Sequence, residues 1–272
     1  PNWELIFFDN LSTDNSKNIF DNYNDKRFFY YCPKHHIPLT KARNEAVKKC
    51  IGEFIAFLDV DDWWEDDKLI KQIKLFADPE VALVYGNFMV NNFTNKIAIY
   101  GDPPKKIYPN KKKIMYDYPL PSGFLLSKLL DNYKIGMMTI IFRKKIVNNL
   151  EYIFNEQVAT IQDFDLCIRI ATKHKIIAIN SILAHKRLHF TNNYNKDKKN
   201  VINEMETLLN IYKKEKNNFK LTDLVNFQNN IIYLKFINLL RNHNYLKAIY
   251  FFLKLNFKNK LKFFKLLTTK FL

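Results

Sequence analysis

Phe57 to Leu69 reads FLDVDDWWEDDKL, and the segment that enters it, Glu53 to Leu58 (EFIAFL), is a short apolar run of the kind that forms a buried strand. The strand therefore ends directly in Asp59-Val60-Asp61. An apolar strand closing on two carboxylates one residue apart needs something positive beside them, because unpaired charge at a sheet edge is costly. Their hard oxygens suit Mg²⁺ or Mn²⁺ bridging a diphosphate. The acids further on, Glu65, Asp66 and Asp67, need no such partner and are read as side chains favouring the positive end of the next helix.

Working outward, Glu4 to Asp9 (ELIFFD) is a strand closed by an Asp-Asn turn, and Ser12 to Phe20 starts with helix-capping residues. Arg27 to Cys32 is a second strand, Thr40 to Cys50 has helical periodicity, a helix over about Glu65 to Phe76 follows the acids, and Val81 to Val90 is a further strand. Strand and helix in alternation predict an α/β domain with a mainly parallel sheet. Ligands of such sheets gather at the carboxyl ends of the strands, where Asp9 and Asp59 stand. Between Asn91 and Ile135 the pattern dissolves into Pro, Lys, Tyr and Asn, which predicts a mobile insert. Met138 to Val147 restores regularity, and Asp163 to Lys173 reads as a helix.

The chain has 272 residues, 47% of them hydrophobic, enough for a proper core. Three scattered cysteines exclude a disulfide framework and zinc spacing, and favour a reducing, cytoplasmic setting. No long uncharged apolar run marks a transmembrane helix, and no export signal is visible. The net charge is +16, yet residues 1–70 carry 13 acidic and 9 basic side chains, so the excess lies downstream. Leu224 to Leu272 contains no acid and nine basic residues among Phe, Leu, Ile and Tyr. That composition predicts a basic amphipathic helical extension over 196–272 that meets an anionic membrane surface.

WELIFFDNLSTDNS (Trp3 to Ser16), KARNEAVKKCIGEFIAFLDVDDWW (Lys41 to Trp64) and IQDFDLCIRI (Ile161 to Ile170), in this order, resemble three signatures of the family 2 glycosyltransferases. The resemblance covers about residues 1–195 and implies the GT-A fold, Rossmann-like with a central sheet flanked by helices. It implies an inverting transfer from a nucleotide-sugar donor, with UDP favoured, to a glycan or lipid-linked glycan in bacterial surface polysaccharide or lipooligosaccharide synthesis. By the same resemblance Asp61 ligates Mn²⁺ or Mg²⁺ with Asp59 beside it, and Asp163 is the general base. Asp9, Asn10, Arg43, Arg187 and His189 are implied on the donor side, Asn10 at the base and Arg43 near the phosphates or ribose. The implied place is peripheral, on the inner face of the membrane.

The departures from the family pattern are specific. Asp9-Asn10-Leu11-Ser12 replaces an Asp-Asp-Gly-Ser element, so an amide stands where a carboxylate is usual. Gln162 replaces the usual Glu before the base, which removes one cause of a raised Asp163 pKa. Lys186-Arg187-Leu188-His189 replaces a Tyr-Arg-x-His element but keeps cation and imidazole. Family members carry a strand and helix ahead of the segment resembling Trp3 to Ser16, so a central strand is expected to be absent here. Asp165 reads as a partner for Arg169, Trp63 and Trp64 as packing residues, and His35 and His36 as solvated.

Two other readings compete. A sugar-phosphate nucleotidyltransferase also uses carboxylate-bound Mg²⁺, but it calls for a Gly-rich phosphate loop that is not seen here. A basic nucleic-acid-binding protein would account for the charge, but no recognised motif supports it, and no nucleic-acid partner is expected.

Overall fold

The computed structural model describes residues 2–100, 105–147, 150, 152–189, 198–215 and 217–271, with the backbone alone for 99, 100, 198, 199 and 266–271. The chain divides into two compact units, Pro1–Leu125 with Lys134–Thr191, and Leu126–Tyr133 with Asn192–Leu272. The expected boundary between 195 and 196 lies outside the described residues.

In the first unit β1 (Leu5–Phe8), α1 (Ser16–Asp21) and β2 (Phe28–Tyr31) form a parallel β-α-β step, in register from Leu5↔Phe28 to Phe8↔Tyr31. The helix starts later than the capping residues predict. Asp9 Oδ1 accepts the Ser12 N–H at 2.8 Å, so Asp9 to Ser12 is spent on a turn. α2 (Leu39–Lys49) follows Pro38, whose fixed φ suits a helix entry, and β3 (Phe54–Ala56) then leads into the acids.

Next come β4 (Trp63–Trp64), α3 (Lys68–Ile73), a 3-10 turn (Lys74–Ala77) and the long strand β5 (Val81–Asn92), buried almost throughout. The polar stretch after it carries three short strands among its described residues. β6 (Ala98–Tyr100) and β7 (Lys105–Ile107) make an antiparallel hairpin, and β8 (Lys112–Ile114) pairs with β5. Asn92 organises the hairpin, donating to the Lys96 and Ile107 carbonyls at 2.9 and 2.8 Å, an arrangement that hydrophobic periodicity does not register. α4 (Leu126–Asp131) belongs to the second unit. The first unit resumes with β9 (Ile141–Arg143), α5 (Lys144–Val147), α6 (Gln162–Ala171) and β10 (Lys175–Leu188).

The six-stranded sheet has the order β3-β9-β5-β10-β4, with β8 on β5. It is mixed rather than mainly parallel. β3, β5 and β10 run the same way, as the alternation predicts, but β9 lies antiparallel between β3 and β5, and β4 is antiparallel to β10. Gly86 on β5 faces the irregular register of β10 after Ile179; a Cβ there would stand 2.4 Å from Leu183 Cδ1, so glycine permits the close approach. Among the described residues β1 pairs only with β2 and β3 only with β9, leaving each one edge without a strand partner. Glu4, at the start of β1, accepts the N–H groups of Ile51 and Gly52 at 2.6 and 2.9 Å.

The second unit is helical, with α4, α7 (Lys198–Lys214), α8 (Leu221–Arg241), α9 (Tyr245–Lys254) and α10 (Phe257–Phe271). α8 is its axis. Asn230 donates to the Leu130 and Asp131 carbonyls that end α4, and Asp223 accepts from Ser127 Oγ at 2.6 Å. Tyr233, Phe236 and Ile237 of α8 pack on Ala248 and on Leu255, which follows α9. Among the described residues no helix is long and apolar enough to cross a membrane.

Candidate active site

Three carboxylates close the carboxyl end of β3. One oxygen each of Asp59, Asp61 and Asp62 lies within 4.8 Å of the others. Each acid has a different neighbour that makes the crowding tolerable. Arg43, on α2, donates to Asp59 Oδ1 at 2.7 Å, and His189 Nε2 lies 2.9 Å from Asp61 Oδ2. Asp62 is buried; its Oδ1 accepts the Arg187 N–H at 3.0 Å, while Oδ2 has no hydrogen bond and faces Lys186 Nζ at 3.6 Å, an ion-pair distance only.

The charges respond accordingly. Burial works against ionised Asp61, but the bond from His189 and the Lys186 charge outweigh it and lower its pKa. Burial raises that of Asp62, helped by repulsion from Asp61 and Asp59 and only partly offset by Lys186 and the Arg187 N–H.

The register of one antiparallel pair brings the cations here. β10 meets β4 with Ala184↔Trp64 and His185↔Trp63; one step further the same register sets Lys186 against Asp62 and Arg187 against Asp61, whose carbonyl accepts Arg187 Nε at 3.2 Å. The guanidinium also lies over the rings of Trp63 and Phe93, at 5.5 and 5.2 Å. Trp63 stacks on His185 at 4.9 Å, and Trp64 Nε1 donates to the Met138 carbonyl, so both tryptophans are engaged by their own surroundings.

α2 ties this cluster to the loop that precedes α6. Thr40, Arg43 and Asn44 share one helical face, being three and four residues apart. Arg43 holds Asp59, the Asn44 amide exchanges two 2.9 Å bonds with the backbone of Phe154, and Thr40 Oγ1 lies 3.5 Å from the Val158 carbonyl. The loop so held runs into α6, whose first turn carries half-buried Asp163 and buried Asp165. Asp165 is occupied by Arg169 Nε at 2.9 Å, as the spacing predicts.

Asp9 and Asn10 stand apart from the acid cluster in sequence and sheet, at the end of β1. Asp9 is buried and accepts from Ser12 N and Tyr30 Oη; burial opposes its charge, but these bonds win and lower its pKa. Asn10 exchanges two bonds with the Ile37 backbone, 2.7 and 3.1 Å, in the manner of a strand partner. Leu11 between this pair and Ser12 has φ 63°, the left-handed region. The sequence reading gave no site role to Asp62, Lys186, Asn44 or Tyr30; Asp62, Asn44 and Lys186 adjoin Asp61, Arg43 and Arg187 in the chain, whereas Tyr30 had no local signal.

Residues 1–146 match the family described as glycosyl transferase family 2. The chain belongs to that family. This family 2 chain is 29% identical over 179 residues to the UDP-Glc:alpha-D-GlcNAc-diphosphoundecaprenol beta-1,3-glucosyltransferase WfgD of Escherichia coli, covering 66% of itself and 62% of that relative. It is 28% identical to the putative teichuronic acid biosynthesis glycosyltransferase TuaG of Bacillus subtilis, over 51% of itself and 54% of the relative. It thus spans less than two thirds of either. Among solved structures, S. aureus TarS 1-349 in complex with UDP superposes with a TM-score of 0.56 at 15% identity, over 96% of this family 2 chain and 68% of that one. The mannosyltransferase PcManGT from Pyrobaculum calidifontis in complex with GDP-Man and Mn²⁺ gives 0.53 at 18%, over 80% and 56%. These likenesses share the GT-A fold.

The acid cluster passes a chemical test for a divalent cation. Its donors are hard carboxylate oxygens, they converge, and one of them, Asp62 Oδ2, is buried without a hydrogen bond.

Proposed function

We propose that the chain is an inverting glycosyltransferase that moves a sugar from a UDP-sugar to a hydroxyl of a lipid-linked glycan in bacterial surface polysaccharide or lipooligosaccharide synthesis, working at the inner face of the membrane. The single observation that carries this is the convergence of Asp59, Asp61 and Asp62 at a strand's carboxyl end in a family 2 chain, with Arg43, Arg187 and His189 around them. The substrates that the name of the Escherichia coli relative carries, UDP-Glc and a GlcNAc-diphosphoundecaprenol, supply the first pair to test.

In this reading Asp61 and Asp59 hold Mn²⁺ or Mg²⁺, with Asp62 behind them. The ion, when bound, neutralises charge on the departing nucleoside diphosphate. Arg43 and Arg187 add positive charge toward the phosphates, and His189 keeps Asp61 ionised and aimed. Asp9 and Asn10 form part of the wall for the nucleoside. Asp163 accepts the proton of the acceptor hydroxyl as its oxygen attacks the anomeric carbon from the face opposite the leaving diphosphate. Gln162 leaves that carboxylate without an acidic neighbour on its amino side.

The test is release of UDP by the full chain from a panel of UDP-sugars, with and without GlcNAc-diphosphoundecaprenol, in Mn²⁺, Mg²⁺ or EDTA. Acceptor-stimulated release that EDTA abolishes supports the reading. Release indifferent to chelation overturns the role of the acids, and pyrophosphate formation from a nucleoside triphosphate and a sugar phosphate would replace the reaction class.

A further inference from the structure

α9 has two apolar faces and only one of them is covered. Ala248 is buried and Phe252 partly buried against α8, but Leu246, Ile249 and Leu253, at spacings of three, four and seven along the opposite face, are 85, 57 and 71% exposed. α10 continues the theme with Phe257, Leu261 and Phe264, of which Phe257 is 77% exposed. A run of large apolar side chains turned to solvent on consecutive helices is the mark of an interaction surface.

The charge around it identifies the partner. Lys247, Lys254, Lys258 and Lys262 interleave with these residues and are all exposed, and Lys258 pairs with Asp131. No acid occurs after Asp223. A second copy of the chain would set these cations against one another, and an acidic protein would satisfy the lysines while leaving six apolar side chains to be matched by shape. An anionic lipid surface satisfies both at once, taking the apolar residues below the headgroups and pairing the ammonium groups with phosphates. At about 1.5 Å per residue, ten-residue α9 is too short to cross a bilayer, so it lies in the interface plane.

We infer that the outer face of α9 and α10 is a membrane-docking surface selective for anionic lipid. Its physical basis is independent of the sugar-transfer reading; its use, holding the enzyme where a lipid-linked acceptor resides, rests on that reading.

The experiment is co-sedimentation of the full chain with phosphatidylcholine vesicles and with vesicles in which about one third of the lipid is phosphatidylglycerol. Binding should be confined to the anionic vesicles and fall about tenfold or more when salt is raised from 0.1 to about 0.5 M. The pair Leu246→Glu/Leu253→Glu should abolish it, while Leu221→Glu, which changes an exposed apolar residue outside this face, should not. If the double variant melts early, Lys247→Gln/Lys254→Gln provides the second reading, with an expected loss of affinity and an unchanged melting curve. Equal binding to neutral vesicles, undiminished binding by both pairs of variants, or a dimer in light scattering that the Glu pair dissociates would overturn the proposal. UDP release without vesicles is measured in parallel: its absence beside intact vesicle binding sinks the catalytic reading alone, and the reverse sinks the docking surface alone.

Discussion

Oxygens of Asp61 and of two other carboxylates lie within 4.8 Å of one another, and the His189 bond and the Lys186 charge help keep half-buried Asp61 ionised. Replacing it with Asn should remove metal-dependent UDP release while leaving the melting temperature unchanged or higher, because like-charge repulsion on Asp62 and Asp59 is relieved. A parallel activity and melting measurement separates the two effects. Asp163→Asn keeps the shape but cannot take a proton, and should retain donor binding while transfer falls by about 10² to 10⁴; donor affinity and turnover falling together would make Asp163 structural. Lys68 offers a test of burial alone. Its ammonium is fully buried 4.2 Å from the Trp64 ring without a hydrogen bond, and desolvation pushes its pKa down to about 7. The unfolded chain keeps that proton to about pH 10.4, so between 7 and 10 the unfolded state binds more protons and stability rises with pH, by up to about 1.4 kcal/mol per unit. Lys68→Met should therefore be more stable at pH 7, by about 1–3 kcal/mol, and lose that slope. Urea unfolding at pH 7 and pH 9 reads both.

Elements show where sequence pattern informs and where it stops. β1, β2, α2, β3, β5 and α6 announce themselves because each is an apolar run or a 3.6-residue stripe bounded by polar residues, a property local to the chain. β4 does not, and β9 shows only as regularity of no stated type over Met138 to Val147; the antiparallel places of β9, β4 and β8, set by their partners, make the sheet mixed. The site divides the same way. Asp59 and Asp61 are legible because a short apolar run leads into them, although β3 stops at Ala56 with only Ile55 buried, whereas the Lys186–Asp62 and Tyr30–Asp9 contacts depend on distant register. Asn44 is such a long-range device. Asn44→Ala strips both bonds from Phe154 and should cost about 1–3 kcal/mol, with a loss of transfer larger than the loss of donor binding as the loop before Asp163 loosens. Leu11 shows the opposite case, a local departure with a local cost. At φ 63° a leucine is strained by about 1–2 kcal/mol, less the greater unfolded-state freedom of glycine, so Leu11→Gly should stabilise by about 0.5–1 kcal/mol in urea melts. Destabilisation would mean that half-exposed Leu11 makes an apolar contact worth more than its strain.

At the scale of the molecule, the division into units does not follow the order of the chain. α4 lies in sequence between strands of the six-stranded sheet, yet it packs with α8, about a hundred residues later. Leu129 and Leu130 of α4 are almost wholly buried, Asn230 of α8 satisfies the carbonyls at its end, and buried Asp223 takes the Ser127 hydroxyl. The helical extension is therefore not a detachable appendix, even though its sequence begins only after the last strand. A chain ending at Thr191 would bare two leucines, each contributing roughly 1.5–3 kcal/mol by its burial, together with unpaired carbonyls in the middle of the first unit's sequence. Such a truncation should yield aggregated protein or one that binds a hydrophobic dye and melts without cooperativity. Substituting Asp223→Ala in the full chain should give a milder version, about 0.5–1.5 kcal/mol, because one hydrogen bond, from the exposed Ser127 hydroxyl, is lost. If the 191-residue chain instead folds cooperatively and releases UDP at the rate of the full chain, α4 does not need α8.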